Sequence, residues 1–377
     1  MNVSMAGLRT FWLQVHSWLG IVLFVVLMPL GITGSLLMLR EPIDRMSHPA
    51  RYAVSHDGPR ASLEALAASA RAAGGPDKRL SGLRLPDRAG RPVVAQLAPL
   101  KPPAGGGRPS QQSVWLDPVT AKVLDQGAGM TGLNRFAHDF HGQLLVPPMG
   151  RKIVGWLGWA MLISSLTGIW LWWPRTGGLQ KGLRWRRTVL LSANLHHLGG
   201  LLVAIPLALL SLTGIWISFP DSARALTGRP VAAQRGGPGG MEGGRGGFGD
   251  GPPTPHLSAD QALAAAQALH PKDKPTSITW PAGRRIQWRV QFAAGEGSPP
   301  QEVSVDDRSG GARAERARQG GDPVARFMRR LHEGEGFTPV WTVIVFLTGL
   351  MPTLLGLTGA WMFVRRKRVH AASSRFA

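Results

Sequence analysis

Residues 15–34 read VHSWLGIVLFVVLMPLGITG, and residues 195–214 repeat the pattern as LHHLGGLLVAIPLALLSLTG. Neither copy contains Asp, Glu, Lys or Arg, and each is as long as the roughly 20 apolar residues that cross a bilayer. A constant offset of 180 superposes three notable pairs: His16 on His196, Gly20 on Gly200 and Thr33 on Thr213. The sequence therefore predicts two related halves, each with such a helix.

A second pair of segments repeats at an offset of 191. Residues 135–168 begin RFAHDFH and end LTG, and residues 326–359 begin RFMRRLH and end LTG. The offset superposes Arg135 on Arg326, Phe136 on Phe327, His141 on His332 and Thr167 on Thr358. The repeating unit is thus a helix, an extramembrane module and a second helix, used twice in the same orientation.

The fold class follows from four apolar segments without an Asp, Glu, Lys or Arg: 18–39, 153–173, 196–219 and 340–364. Buried helices of a soluble protein are the alternative, but Trp residues at the segment ends favour membrane spans. We predict a mainly α membrane protein with four transmembrane helices, arranged as two tandem helix–module–helix repeats. Each module is expected to be small, α+β and periplasmic.

The charges indicate how the chain is oriented. The formal net charge is +21, yet all 22 acidic residues fall within 40–152 and 220–336. This is the charge map of a membrane protein, so no nucleic-acid partner is expected. Short basic loops stay cytoplasmic, which predicts cytoplasmic termini and a multi-pass protein of the bacterial inner membrane. The absence of Cys excludes disulfides, thiolate metal sites and iron–sulfur clusters.

The predicted organisation has eight segments. They are the N-terminus with the first span (1–39), the first periplasmic module with the histidine-bearing approach to the second span (40–152), the second span (153–173), a basic cytoplasmic connector (174–195), the third span (196–219), the second periplasmic module (220–339), the fourth span (340–364) and a basic cytoplasmic tail (365–377). The second module includes a glycine-rich linker at 236–251.

Both modules have the same predicted order of elements. The first has a helix at 62–73 followed by strands at 80–85, 92–98 and 113–116. The second has a helix at 258–270 followed by strands at 276–280, 286–292 and 302–305. We expect each module of about 60 residues to be too small for a large core of its own.

Four histidines at equivalent positions of the repeat carry the functional hypothesis. Edge histidines can simply reach the interface, but interface anchoring does not require one residue type at one spacing in both halves. Neutral imidazole is a haem or metal ligand, and bis-histidine ligation needs one His from each of two helices. We predict two such pairs, His16 with His196 and His141 with His332, and hence two bound haems.

Four further residues are candidates beside these ligands. Gly20 and Gly200 lie one helical turn after His16 and His196, where a missing side chain leaves room for a flat macrocycle or for close helix packing. His197 is adjacent to His196. His138 lies three residues before His141 and is replaced by Arg329 in the second half, which favours His141 as the ligand.

With these motifs, the chain resembles the PepSY-associated transmembrane family, which includes inner-membrane ferric-siderophore reductases. The resemblance covers nearly the whole chain and rests on VHSWLG, LHHLGG, FHGQLL, LHEGEG and the LTG-[IA]-W ends of three spans. It implies four spans, periplasmic PepSY modules, b-type haem and, in the reductase members, one-electron reduction of siderophore-bound ferric iron. His16, His141, His196 and His332 match the histidine positions of the family.

The leading hypothesis is a di-haem transmembrane electron-transfer protein that acts as a haem b-dependent ferric reductase. A quinol or a cytoplasmic reductase would donate electrons near His16 and His196, and a ferric siderophore or another ferric complex would accept them in the periplasm. The alternative is a haem-free binding or regulatory membrane protein whose modules bind a protease, a peptide or a metal complex. Ion-coupled transport is disfavoured because the spans carry no acidic or basic residues.

Overall fold

The computed structural model describes residues 5–100, 111–173, 180, 183–185, 190–227, 255–282, 286–293, 301–315, 323–335 and 337–373. The predicted glycine-rich linker at 236–251 and most of the connector at 174–195 lie outside the described residues. The helices are α1 (Met5–Met38), α2 (Arg40–Ser47), α3 (Leu63–Gly74), α4 (Gly132–Gln143), α5 (Met149–Trp172), α6 (Leu191–Ser218), α7 (Pro220–Leu226), α8 (Ala259–Leu269), α9 (Pro323–Glu333) and α10 (Pro339–Ser373).

Four of these helices, α1, α5, α6 and α10, are long and apolar enough to cross a membrane. They are the membrane spans that the sequence predicts, and the protein is a multi-pass membrane protein with four candidate spans. Neighbouring helices contact each other in the order α1–α5–α6–α10 and back to α1. The first helices of the two halves, α1 and α6, therefore lie diagonally across the bundle.

Small residues allow the helices to approach closely, as is usual for packing in a membrane. Gly31 of α1 lies against Gly349 of α10, where a Cβ on Gly31 would collide with the carbonyl oxygen of Gly349. One turn away, the Ser35 hydroxyl donates a hydrogen bond to the carbonyl of Phe346 (2.8 Å). On the opposite side of the bundle, an added Cβ on Gly158 of α5 would lie 3.0 Å from Ile215 of α6.

The strands of both modules form one eight-stranded antiparallel sheet. The strands are β1 (Lys78–Arg84), β2 (Val93–Pro99), β3 (Gln112–Leu116), β4 (Val123–Ala128), β5 (Pro275–Thr279), β6 (Gln287–Phe292), β7 (Gln301–Asp306) and β8 (Ala312–Glu315), in the spatial order β4-β3-β2-β1-β5-β6-β7-β8. The two modules join where β1 pairs with β5, with Leu83 opposite Ile278. The predicted small α+β modules are therefore halves of one sheet.

Joining the two modules in one sheet gives them a shared core, which compensates for the small size of each module alone. An unpaired edge strand exposes backbone donors and acceptors, and the β1–β5 pairing removes one such edge from each half. Leu66 of α3, Leu83 and Leu97 belong to the same buried cluster as Ile278 and Trp288 of the second half. The helices also cap each other, because Asp260 of α8 accepts hydrogen bonds from the backbone N–H groups of Leu63 (2.8 Å) and Glu64 (3.1 Å).

By contacts, the chain divides into two compact units. The described parts of residues 1–41, 132–231 and 322–377 form the helical unit, and the described parts of 42–131 and 232–321 form the sheet unit.

Asp117 is a buried carboxylate at the end of β3 in the sheet unit. Burial favours the neutral acid, but the backbone N–H groups of Thr120, Ser55 and Val119 donate to it and together lower its pKa from 3.8 to about 2. A carboxylate with a depressed pKa stabilises the fold above pH 3.8, and this contribution is lost as the pH falls towards 2, because the unfolded chain binds the proton first.

We expect Asp117→Asn to lower the stability of the sheet unit at neutral pH and to flatten the fall in stability between pH 3.8 and about 2. The measurement is the urea midpoint of the detergent-solubilised chain, followed by circular dichroism at several pH values. Asp87→Asn is the control, since that side chain is 59% exposed and forms a surface pair with Arg91. Parallel pH curves for wild type and Asp117→Asn would contradict the assignment.

Candidate functional site

His16 and His196 form the first histidine pair. His16 lies on α1 and His196 on α6, so the diagonal arrangement of these helices brings the two side chains together. Their ring centroids are 6.2 Å apart and their planes are nearly perpendicular, at 87°. The pair is thus built from repeat-equivalent positions of the two halves.

His141 and His332 form the second histidine pair. They lie on the short helices α4 and α9, which precede the spans α5 and α10. Their ring centroids are 6.1 Å apart and their planes are inclined by 44°. The carbonyl of Leu30 on α1 contacts His141 and so marks the level of the second pair on this helix. Leu30 lies 14 residues after His16, so at 1.5 Å per residue the two pairs are about 21 Å apart along α1.

Every one of the four imidazoles places Nδ1 within hydrogen-bond distance of a backbone carbonyl on a neighbouring helix. The bonds join His16 to Ser164 (3.1 Å), His196 to Leu355 (3.0 Å), His141 to Leu30 (2.8 Å) and His332 to Leu210 (3.1 Å). A carbonyl oxygen only accepts, so Nδ1 is the donor and carries the proton. Nε2 then presents its lone pair, which is the form that binds a metal.

Each of these carbonyls lies four residues before a glycine. Side chains on a helix lean towards its N-terminus and cover the preceding turn. A glycine therefore leaves the carbonyl one turn earlier open to the imidazole. Added Cβ atoms would lie 2.6 to 3.3 Å from the imidazole Cε1 in all four cases: Gly34 against His141, Gly168 against His16, Gly214 against His332 and Gly359 against His196.

The chemistry of the donors fits haem iron better than a metal ion held by protein ligands alone. Within the described residues, no group of three or more His, Asp or Glu side chains gathers to hold a metal. Nε2 of the four paired histidines has no hydrogen-bond partner in the same part of the chain. Imidazole nitrogens bind metals at about 2 Å, so centroids about 6 Å apart leave room for one ion between the rings of a pair.

A cavity of about 660 Å³ adjoins the first histidine pair. This volume is within the usual range for small-molecule and cofactor sites, about 300–1,000 Å³. Gly20 and Gly200 both line it; an added Cβ on Gly20 would meet no atom within 4 Å, and one on Gly200 only Leu355 at 3.7 Å. Three cationic side chains also line the cavity and could accompany anionic groups of a ligand: Arg9, Arg184 and Arg366.

The two further histidine candidates occupy different places. His197 lines the cavity and its ring centroid lies 6.2 Å from that of His196. His138 is exposed on α4 and contacts Asp139 at 3.1 Å. His138 is therefore not part of the second pair, which agrees with the preference for His141 that the repeat suggests.

Burial lowers the pKa of both histidines of the second pair. Burial lowers the pKa of His141, and the carbonyl of Leu30 opposes this only in part. Burial and then the neighbouring His141 lower the pKa of His332 to about 4. Burial thus favours the neutral form of both imidazoles, which is the form that metal ligation requires.

Sequence reasoning did not assign a role to the glycines of the ITG and LTG motifs. The sequence does contain a pattern that could have pointed to these glycines, because the dipeptide Thr-Gly occurs in all four spans and its positions follow both repeat offsets. What the sequence did not reveal is which helix each glycine faces.

The protein is thus a membrane protein with four candidate spans, and its helical bundle holds one histidine pair at each of two depths. The comparisons identify its family. The family model described as "PepSY-associated TM region" matches residues 13–366. The chain therefore belongs to the PepSY-associated TM family. No curated protein sequence matches the chain.

We expect Gly34→Ala to destabilise the helical unit by about 1–3 kcal/mol, because the new methyl group would push the His141 ring from its bond to Leu30. Gly20→Ala is the matched control on the same helix, since its methyl group would enter open space. Denaturant unfolding in detergent, followed by circular dichroism, measures both. Equal losses in the two variants would show that Gly34 does not act through His141.

Proposed function

We propose that this protein is a di-haem transmembrane electron-transfer protein, which takes electrons from a separate donor and reduces a ferric complex in the periplasm. The observation that supports this most directly is the pairing of repeat-equivalent histidines at two depths of the bundle, with ring centroids 6.2 and 6.1 Å apart. His16 with His196, and His141 with His332, would hold the two iron atoms through Nε2.

The chain's own residues orient the four imidazole rings and increase the basicity of their Nε2 atoms. The carbonyls of Ser164, Leu355, Leu30 and Leu210 hold the Nδ1 protons and so leave Nε2 free on each ring. Bonds of this kind orient a ligating histidine and make it a stronger electron donor. When bound, b-type haem supplies reversible one-electron chemistry at iron.

The proposed orientation places the first histidine pair near the cytoplasm and the second near the periplasm. Basic residues in short loops and tails support it, because such residues remain on the cytoplasmic side. They include Arg9 and the run Arg365–Arg368. The sheet unit would then lie in the periplasm of a bacterial inner membrane, where ferric complexes arrive.

The acceptor we propose is a ferric siderophore or a similar oxygen-ligated ferric complex. One electron converts Fe³⁺ to Fe²⁺, and hard oxygen ligands hold the ferrous ion less well, so reduction releases the metal. The donor would be a quinol or a cytoplasmic reductase. The substrate class is the one that the resemblance to reductase members of the family implies. The apolar segments 18–39, 153–173, 196–219 and 340–364 contain no Asp, Glu, Lys or Arg, which is consistent with electron rather than ion movement.

Haem content is the first prediction of this proposal. Protein purified in detergent from haem-replete cells should contain about two haems per chain, since each histidine pair would hold one haem iron. His332→Ala and His16→Ala should each lose one, because only one ligand of a pair remains. His270→Ala is the control, since His270 lies in the sheet unit and contacts Asp273. Pyridine haemochrome absorbance measures the count, and a haem-free wild type would favour the binding-protein alternative.

Electron delivery is the second prediction. In membrane vesicles reduced with dithionite and freed from excess reductant, ferrioxamine B or ferric citrate should reoxidise the wild-type protein in a stopped-flow experiment. His332→Ala should react no faster than a vesicle lacking the protein, because the second histidine pair lies on the proposed acceptor side. Full haem content without reoxidation by either complex would retain electron transfer but exclude these acceptors.

A further inference from the structure

A threonine precedes each glycine that contacts an imidazole. The four dipeptides are Thr33-Gly34, Thr167-Gly168, Thr213-Gly214 and Thr358-Gly359. All four threonines are buried, with between 1% and 8% of their surface exposed. The described chain thus contains four copies of one local arrangement, each beside a histidine of the two pairs.

Three of the threonine hydroxyls lie within hydrogen-bond distance of an imidazole Nδ1. The distances are 3.1 Å from Thr167 to His16, 3.1 Å from Thr358 to His196 and 2.9 Å from Thr213 to His332. Each of these Nδ1 atoms therefore has two oxygen neighbours, the hydroxyl and the carbonyl already described.

The direction of the hydroxyl bonds follows from the helix that carries them. Each threonine is also bonded to the carbonyl four residues earlier, with Thr167 to Ile163 at 2.8 Å, Thr358 to Leu354 at 2.7 Å and Thr213 to Leu209 at 2.9 Å. A hydroxyl has one hydrogen, and the carbonyl can only accept it. Towards Nδ1 the threonine oxygen is therefore an acceptor, so two acceptors share one Nδ1–H.

Thr33 differs from the other three threonines only in lacking a bond to an imidazole. Its hydroxyl bonds to the carbonyls of Pro29 (2.8 Å) and Leu30 (3.0 Å), and the other three hydroxyls likewise bond to the carbonyls four and three residues earlier. Among the described residues, Nδ1 of His141 has the carbonyl of Leu30 as its hydrogen-bond acceptor and no bond to Thr33. The second histidine pair thus joins one ring with two acceptors, His332, to one ring with a single acceptor.

We propose that Thr167, Thr213 and Thr358 are positioning residues that give the Nδ1–H of His16, His332 and His196 a second acceptor and so increase the donor strength of Nε2, whereas Thr33 has no such role. The consequence for a bound iron rests on the proposed function; the hydrogen bond to Nδ1–H does not. A stronger imidazole donor stabilises the oxidised iron, so these threonines lower the reduction potential of the site that they serve.

The simpler reading is that threonine serves only to satisfy its own helix, as buried threonines in membrane helices do. That explanation predicts equal effects of substituting Thr33 and Thr213, which are related by the repeat and lie beside the same histidine pair. The pair Thr33→Val and Thr213→Val therefore separates the two explanations, since valine keeps the shape and removes the hydroxyl. Thr213→Ser restores the hydroxyl and should restore wild-type behaviour.

The first measurement uses the haem-free protein, prepared from cells in which haem synthesis is blocked. Imidazole ¹H and ¹⁵N chemical shifts, assigned with single-histidine variants, report the strength of the hydrogen bonding of Nδ1–H in His332 and His141. We expect Nδ1–H in every variant, because the carbonyls of Leu210 and Leu30 remain, with an upfield shift of the His332 Nδ1 proton in Thr213→Val and no change at His141 in Thr33→Val. An unchanged His332 Nδ1 proton in Thr213→Val, or an equal change at His141 in Thr33→Val, would overturn the proposal.

The second measurement uses the haem-loaded protein. Thr213→Val should raise the reduction potential of one haem and accelerate haem loss to an excess of apomyoglobin by about tenfold, the low end of the effect of second-layer partners on metal affinity. Thr33→Val should change neither quantity. Identical potentials and loss rates in the two variants would overturn the effect on iron. A wild type without haem would instead contradict the proposed function, and the chemical-shift measurement on the haem-free protein would still decide the role of the threonines.

Discussion

The helical unit depends on one interaction made four times, the hydrogen bond from an imidazole Nδ1 to a helix carbonyl that already belongs to another span. A carbonyl has two lone pairs, and the helix uses one of them. The second is normally covered by the side chain one turn later. Glycine at that position removes the cover, so a histidine from a neighbouring helix can reach the oxygen. Both the close helix contacts and the orientation of the ring follow from this single constraint.

The interaction also explains why the halves are related by duplication. Contacts between α1 and α5 correspond to those between α6 and α10, and contacts between α5 and α6 correspond to those between α10 and α1. One helix–module–helix unit therefore cannot complete either histidine pair, because each pair takes one ring from each half. The sheet unit likewise needs both halves, since β1 of the first half pairs with β5 of the second. Both units therefore require the two halves of the duplicated chain.

The sequence predicts the membrane part well and the sheet part less completely. Uncharged apolar runs define the spans, and the two offsets bring His16 to His196 and His141 to His332 because equivalent positions of a duplicated bundle face its centre. The joining of the modules was not predictable, since the partner of an edge strand depends on tertiary contacts. The outer strands β4 and β8 were missed because none of their residues is buried, and because β4 (VLDQGA) lacks the alternation of apolar and polar residues that marks a half-buried strand, while β8 has only four residues.

The placement of the polar groups limits what the helical unit can do. Within the described residues, its buried polar side chains are hydroxyls, such as those of Thr213 and Thr358, and the amides of Asn134 and Asn194. None of these groups carries a charge at physiological pH. The paired imidazoles are the remaining reactive groups, and a neutral imidazole whose Nδ1 carries the proton can bind a metal through Nε2. The proposed electron transfer is consistent with this arrangement, because an electron crosses an apolar layer without the polar path that an ion needs.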